Sequence, residues 1–179
     1  LTLSANNNTI ANNTVNTTGS GSDNYGIYLF STVSGNVVTG NVITTNGTAS
    51  NYGVSLSSTA DNNTVANNTI RTSSATSDSS YGIYFLSTAS GNVISGNVIN
   101  TSGTGFEGGI RIDGGQNNTI ANNTITTGSS SSDNIGIDVQ TARNVISGNV
   151  VTTNGTTLNY GIKIQATNNV VANNTVTTG

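Results

Sequence analysis

The stretch NNTIANNTV, Asn7 to Val15, returns as NNTVANNTI from Asn62, as NNTIANNTI from Asn117 and as NNVVANNTV from Asn168. Between these copies stand a second spelling, GNVVTGNVI from Gly35 and GNVISGNVI from Gly91, and its variant RNVISGNVV from Arg143. The first Asn of the successive phrases falls at Asn8, Asn36, Asn63, Asn92, Asn118, Asn144 and Asn169, at intervals of 25 to 29 residues. Gly26, Gly53, Gly82, Gly109, Gly136 and Gly161 recur with the same period, each followed by Ile or Val and most preceded by Tyr. A period of this length marks a stacked repeat architecture. No linker interrupts it, so residues 1–179 read as one repeat domain of about seven rungs.

Around each glycine the apolar residues alternate. Ile27/Leu29, Val54/Leu56, Ile83/Phe85, Ile110/Ile112, Ile137/Val139 and Ile162/Ile164 point to one side, and Leu1/Leu3 fit the same pattern. That is a short strand with one buried face. In the core phrase the apolar pair lies five residues apart, as Ile10 and Val15 or Val38 and Ile43, which breaks period two and demands a bend between two strands. The residue before the second Asn is Asn12, Gly40, Asn67, Gly96, Asn122, Gly148 or Asn173. Asn and Gly tolerate positive φ, so a left-handed bend belongs at this position in every rung.

The asparagines then fall into columns. Asn8, Asn36, Asn63, Asn92, Asn118, Asn144 and Asn169 form one, and Asn13, Asn41, Asn68, Asn97, Asn123, Asn149 and Asn174 another. Rungs of a parallel solenoid are about 4.8 Å apart, so each amide can bond the next and satisfy backbone groups at the bend. A third column is Thr throughout: Thr17, Thr45, Thr72, Thr101, Thr127, Thr153 and Thr178. The reading is an all-β, single-stranded parallel β-helix with Asn ladders. The YGIYL-type strand and the two core phrases resemble the right-handed parallel β-helix repeats of the NosD-like, carbohydrate-binding and sugar-hydrolase group. The resemblance covers essentially the whole chain and implies right-handedness. It specifies function loosely, because that group spans lyases, hydrolases, periplasmic proteins, adhesins and surface-layer components.

The chain is 32% hydrophobic and 6% charged, with a net charge of −3 and no Pro, Cys, Met, Trp or His. A disordered chain combines low hydrophobicity with high net charge, whereas here the apolar residues sit at fixed offsets. No basic patch is available for nucleic acid, no apolar run approaches the ~20 residues of a membrane span, and no cysteine offers a disulfide or thiolate site.

A polysaccharide lyase or hydrolase needs clustered acids with a basic partner. Arg111, Asp138 and Lys163 share an outward column, with Asp113 beside them and Glu107 preceding that strand. The simpler reading is a ladder of alternating surface charge, worth about 0–1 kcal/mol per pair. Asp23, Asp78 and Asp133 close Ser/Gly-rich loops in alternate rungs. Calcium takes about six to eight oxygen ligands, and these loops offer one carboxylate each, so turn formation explains them better. No catalytic residue, metal or cofactor is expected.

Tyr28, Phe30, Tyr84 and Leu86 form an outward apolar patch interrupted by Ser55 and Ser57, a candidate for lateral protein contact or sugar stacking. Thr14, Val42, Thr69, Val98, Thr124, Val150 and Thr175 make a flat Thr/Val column, and beside it run Asn16, Thr44, Arg71, Asn100, Thr126, Thr152 and Thr177. Regular Thr rows resemble ice-binding surfaces, though Asn16, Arg71 and Asn100 interrupt the second row, and β-propensity alone explains such columns. Asn16, Asn46, Asn100 and Asn154 head Asn-x-Ser/Thr acceptors expected in loops, where a glycan could fit.

The leading expectation is a non-catalytic structural module, extracellular or on a cell surface: an adhesin, surface-layer or filament-forming solenoid. It would be a segment of a longer array or a polymerising subunit, associating end to end. The alternatives are a ligand-binding solenoid for ice or carbohydrate, and a fragment of a polysaccharide lyase or hydrolase.

Overall fold

A computed structural model of the chain describes residues 1–21, 23–48, 50–75, 79–130 and 133–179. Each glycine stretch forms one strand and each core phrase two; the third rung, for example, contains Asn51–Leu56, Thr64–Ala66 and Thr69–Ser74. Equivalent strands of successive rungs pair in parallel. Among the described residues this gives three sheets of seven strands and no helix. We call them the glycine sheet, the middle sheet and the threonine sheet. A two-stranded pairing of Val33–Ser34 with Ala60–Asp61 reinforces one corner.

The apolar residues identified by alternation stack in register inside. Ile27, Val54, Ile83, Ile110 and Ile137 form one fully buried column, and Val38, Val65, Ile94, Ile120 and Ile146 another. Ile43, Ile70, Ile99, Ile125 and Val151 complete the core from the threonine sheet. The Thr column faces inward beside them, and the Oγ1 atoms of Thr45, Thr72, Thr101, Thr127 and Thr153 are buried with no hydrogen-bond partner among the described residues.

Both asparagine columns are hydrogen-bonded ladders. From the second rung on, each Oδ1 accepts from the main-chain N–H of the Asn in the preceding rung. Through most of the array it accepts from that residue's side-chain amide as well: Asn68 N and Nδ2 both donate to Asn97 Oδ1 at 3.0 Å. The amides also reach main-chain carbonyls of the middle sheet, as Asn97 Nδ2 does to Val65 O at 2.9 Å. Interior members are no more than 1% exposed, and burial at that depth makes such pairing obligatory.

The bend lies where the Asn/Gly column places it. Asn12, Gly40, Asn67, Gly96, Asn122, Gly148 and Asn173 all have φ between 55° and 65°. A second left-handed column, which the sequence reading does not anticipate, lies one residue before the first ladder: Asn7, Gly35, Asn62, Gly91, Asn117, Arg143 and Asn168, with φ between 55° and 68°. Within the core phrases every NN or GN pair is therefore a left-handed residue followed by a ladder asparagine.

The alternation of the two spellings has a steric cause. The side chains of Asn7, Asn12, Asn62, Asn67 and Asn122 lie over the next rung, where a Cβ on Gly40 or Gly96 would come within 2.5 Å of Asn12 Oδ1 or Asn67 Oδ1. Asn above Gly fits, whereas Asn above Asn crowds. Gly96→Asn is thus expected to cost about 1 kcal/mol and Gly96→Val more, because a β-branched residue adds positive-φ strain of about 1–3 kcal/mol. Adding Asn67→Gly should restore much of the loss in the Asn variant by removing the side chain it meets. Urea midpoints that ignore the second substitution would refute this packing.

Candidate functional site

The glycine sheet owes its outer face to its glycines. A Cβ at Gly82 would collide with Ile99 Cγ2 of the threonine sheet and approach Gly109 O at 2.9 Å, so the backbone here packs directly against the opposite wall. The pairing register skips this residue, running Tyr81↔Tyr52 and then Ile83↔Val54. The interruption of strict alternation turns the residue before each glycine outward, together with the one two positions after it. Tyr25 and Tyr28 consequently stack at 4.4 Å with planes 9° apart.

The outward patch is therefore continuous where the sequence reading has it interrupted. Tyr52 bridges the rung carrying Ser55 and Ser57, stacking on Tyr25 at 5.2 Å and on Tyr84 at 5.2 Å. Phe30 lies 5.3 Å from Tyr28, Tyr81 lies 5.1 Å from Tyr84, and Phe106 lies 6.0 Å from Tyr81. Ser55 and Ser57 are buried on this face, and Leu86 is 39% exposed at its margin. Rings stacked face to face within and between rungs cover one another. A sugar platform needs an open face, so this arrangement suits a structural aromatic ladder or a protein contact better.

The charged residues continue that ladder. Arg111 sits with Cζ 5.6 Å from the centroid of the Tyr81 ring, and its Nη1 donates to Tyr81 Oη at 3.0 Å. Its Nε donates to Asp113 Oδ1 at 2.6 Å, and Nη1 lies 3.5 Å from Asp138 Oδ2. Tyr84 Oη donates to Asp113 Oδ2 at 2.7 Å, and Gln140 Nε2 donates to Asp138 Oδ1 at 2.8 Å. Each of the four carboxylate oxygens thus faces a donor. Burial and the Asp113 acceptor hold the Tyr84 phenol well above its usual range. Burial opposes the Arg111 charge, yet its bond to Asp113 and the surrounding Tyr81, Asp113 and Asp138 hold its pKa above the ordinary value. Lys163 pairs in register with Asp138 but lies over the Tyr160 ring, 5.4 Å from its centroid. The three-charge alternating ladder reduces to a network centred on Arg111.

Glu107 does not join it. The residue is fully buried, faces inward, and belongs to a column running Asn24, Asn51, Ser80, Glu107, Asn134 and Asn159 at the third corner. Ser74 Oγ donates to its Oε1 at 3.1 Å, while Oε2 has no hydrogen-bond partner among the described residues. Burial pushes its pKa from the ordinary 4.5 up to about 8, against a smaller opposing effect of the Ser74 bond. The folded chain thus holds a proton that the unfolded chain releases near 4.5. Stability from this group is complete below that value and is lost as the pH rises through about 8. Thermal midpoints should fall over that window, and Glu107→Gln should flatten the fall; an identical slope in the variant would refute the assignment.

On the threonine sheet the Thr/Val column is in register through all seven strands, as is the column from Asn16 to Thr177. Val42, Val98 and Val150 are 41–50% exposed. Around Arg71 the face dips into a groove lined by Thr44, Asn46, Ser73, Asn100 and Ser102. Asn16, Asn46, Asn100 and Asn154 are exposed, but the structure places them on strands of this sheet, in Thr14–Thr17, Val42–Gly47, Val98–Gly103 and Val150–Gly155, and not in loops. Asp23 holds a turn with φ of 59°, and Asp133 accepts a bond from Thr157 Oγ1 at 2.9 Å. Asp78 lies outside the described residues.

Three parallel sheets wound into one solenoid, with amide ladders at its corners, define the parallel β-helix class. The family model for the right-handed β-helix region matches residues 68–179, more than half of the chain, and the chain belongs to that family. Comparison with curated proteins and with solved structures returns no match.

Proposed function

We propose that the chain is a non-catalytic structural module of an extracellular or cell-surface protein, a solenoid segment that spaces or displays other parts of an assembly. The observation that carries this reading is the commitment of the outward polar groups on the glycine sheet. Arg111, Asp113 and Asp138 satisfy one another and anchor the tyrosine ladder. Further rungs stacked on this array, in the same chain or another, fit best where the column from Asn12 to Asn173 keeps its Asn-over-Gly alternation. A copy docked directly end to end would set Asn173 of one molecule against Asn12 of the next, Asn on Asn, so extension calls for a Gly-type rung between them.

Purified protein is expected to release neither unsaturated nor reducing ends from polygalacturonate or other acidic polysaccharides, with or without calcium. Release that disappears in Asp138→Asn would replace this reading by the lyase or hydrolase fragment. A second reading, ligand binding on the threonine sheet, draws support from the in-register Thr/Val rows. Shaping of growing ice crystals, lost on Thr124→Lys, would favour its ice-binding form.

A further inference from the structure

The chain contains no Cys, Met, Trp or His, so its tyrosines are the side chains that a one-electron oxidant attacks most readily. Five of the six tyrosines stand in the outward stack, and the sixth, Tyr160, contacts no other aromatic ring among the described residues. Within the stack every step is short. Tyr28 lies 4.4 Å from Tyr25, Tyr25 lies 5.2 Å from Tyr52, Tyr52 lies 5.2 Å from Tyr84, and Tyr84 lies 5.1 Å from Tyr81. The ring planes at these steps are 9° to 24° apart. Neighbouring π systems therefore overlap, and an electron can pass from ring to ring.

The charged network makes one end of that path unlike the rest. A tyrosine that loses an electron becomes a strong acid, so its radical persists best where a base takes the phenol proton. Tyr84 Oη already donates to Asp113 Oδ2 at 2.7 Å, while Arg111 Nε holds the other carboxylate oxygen, Oδ1, at 2.6 Å. Oδ2 can therefore receive the proton while the side chain stays anchored. Tyr81, one step further, accepts a hydrogen bond from Arg111 Nη1 at 3.0 Å and has the guanidinium carbon 5.6 Å from its ring centroid. A fixed positive charge so close opposes a second one on the ring. The path thus has a resting place at Tyr84 and a stop beyond it.

We propose that the tyrosine stack is a redox relay that collects oxidising equivalents and holds them at Tyr84. A one-electron oxidant, such as a ferryl haem or a ruthenium(III) complex, takes an electron from any ring of the stack and is itself reduced by one. Electrons then move between rings until the deficit reaches Tyr84. There the O–H bond breaks, the proton bonds to Asp113 Oδ2, and a neutral phenoxyl radical remains. A one-electron donor such as ascorbate returns the electron, and Asp113 returns the proton. The relay adds to the structural reading without depending on it.

The test is photo-oxidation of the full chain by ruthenium(III) tris-bipyridine, generated in a flash with persulfate as the electron acceptor. A nitroso spin trap captures the radicals, and mass spectrometry locates the adducts. Within the stack the adducts are expected mainly on Tyr84, and unfolding the chain in urea should abolish that preference. Tyr52→Phe keeps a ring in place but one that this oxidant cannot oxidise, so the ratio of adducts on Tyr84 to those on Tyr25 and Tyr28 should fall several-fold. Asp113→Asn, which cannot take the proton, should lower the Tyr84 share as well. Tyr160, 37% exposed and off the stack, should give the same yield in the unaltered chain and both variants. Adducts that follow exposure alone, a Tyr84 share unmoved by either substitution, or a preference that survives unfolding would overturn the proposal. The comparison of folded with unfolded chain needs no variant, so an unstable substitution leaves the test decisive. Because no polysaccharide cleavage is measured, failure here would leave the non-catalytic reading intact.

Discussion

Asn97→Leu is expected to lower stability by about 3–5 kcal/mol, the sum of two or three buried groups orphaned at about 1–3 kcal/mol each. Asn97 Oδ1 is the acceptor for both the main-chain N–H and the side-chain amide of Asn68. Its own amide donates to Val65 O at 2.9 Å, Ser95 O at 3.2 Å and Asn123 Oδ1 at 3.0 Å. Leucine has similar bulk and greater hydrophobicity, so a deficit in packing cannot explain the loss. At the exposed end of the same column the change should be milder, because water can replace what Asn13→Leu removes. Urea unfolding at constant m would measure both. If Asn97→Leu left the midpoint unchanged, the interior amides would not be holding the rungs together.

The columns that could be read from sequence are those in which one residue type, or one stereochemical property, survives in every rung. The two asparagine ladders and the bend between the phrase strands meet that condition. The second bend does so less well, because Arg143 takes the left-handed position that Asn or Gly fills elsewhere. The third corner ladder was hidden for a stronger reason. Asn51, Ser80, Glu107 and Asn134 share one structural position but not one side chain, and the loops before them differ in length. Judged by its charge, Glu107 belongs with the outward acids; register alone puts it inside. Tyr25, Tyr52 and Tyr81 show the limit of period two. Alternation carried past the glycine assigns them to the wrong side, because the close approach of the threonine sheet breaks the pattern at that residue. The Arg71 groove was visible only as a blemish in a regular row.

The same close approach makes the glycine column intolerant of even one methyl group. At Gly109 an added Cβ would collide with Ile125 Cγ2 and lie 2.5 Å from Gly136 O. Ile125 could in principle change rotamer, although it is 1% exposed and enclosed by the core. The carbonyl cannot retreat so easily, since it belongs to the backbone of the neighbouring rung, and moving it disturbs the pairing of Glu107–Ile112 with Asn134–Val139. Gly109→Ala is therefore expected to cost about 1–3 kcal/mol, the range for overpacking a filled core, and to lie near its upper end. Gly128 supplies the internal control. It lies on the threonine sheet, where a Cβ would meet nothing nearer than Asn154 O at 3.4 Å. There the same substitution removes unfolded-state freedom without a collision, and Gly128→Ala should be neutral or stabilising by about 0.4–1 kcal/mol. Both changes add one methyl to a strand glycine, so differences in propensity largely cancel between them. Opposite signs in the two unfolding midpoints would tie the glycine column to the contact between sheets. A matching loss in both variants would mean that strand glycines here are needed for backbone freedom, and the outward turn of the tyrosines would then require another cause.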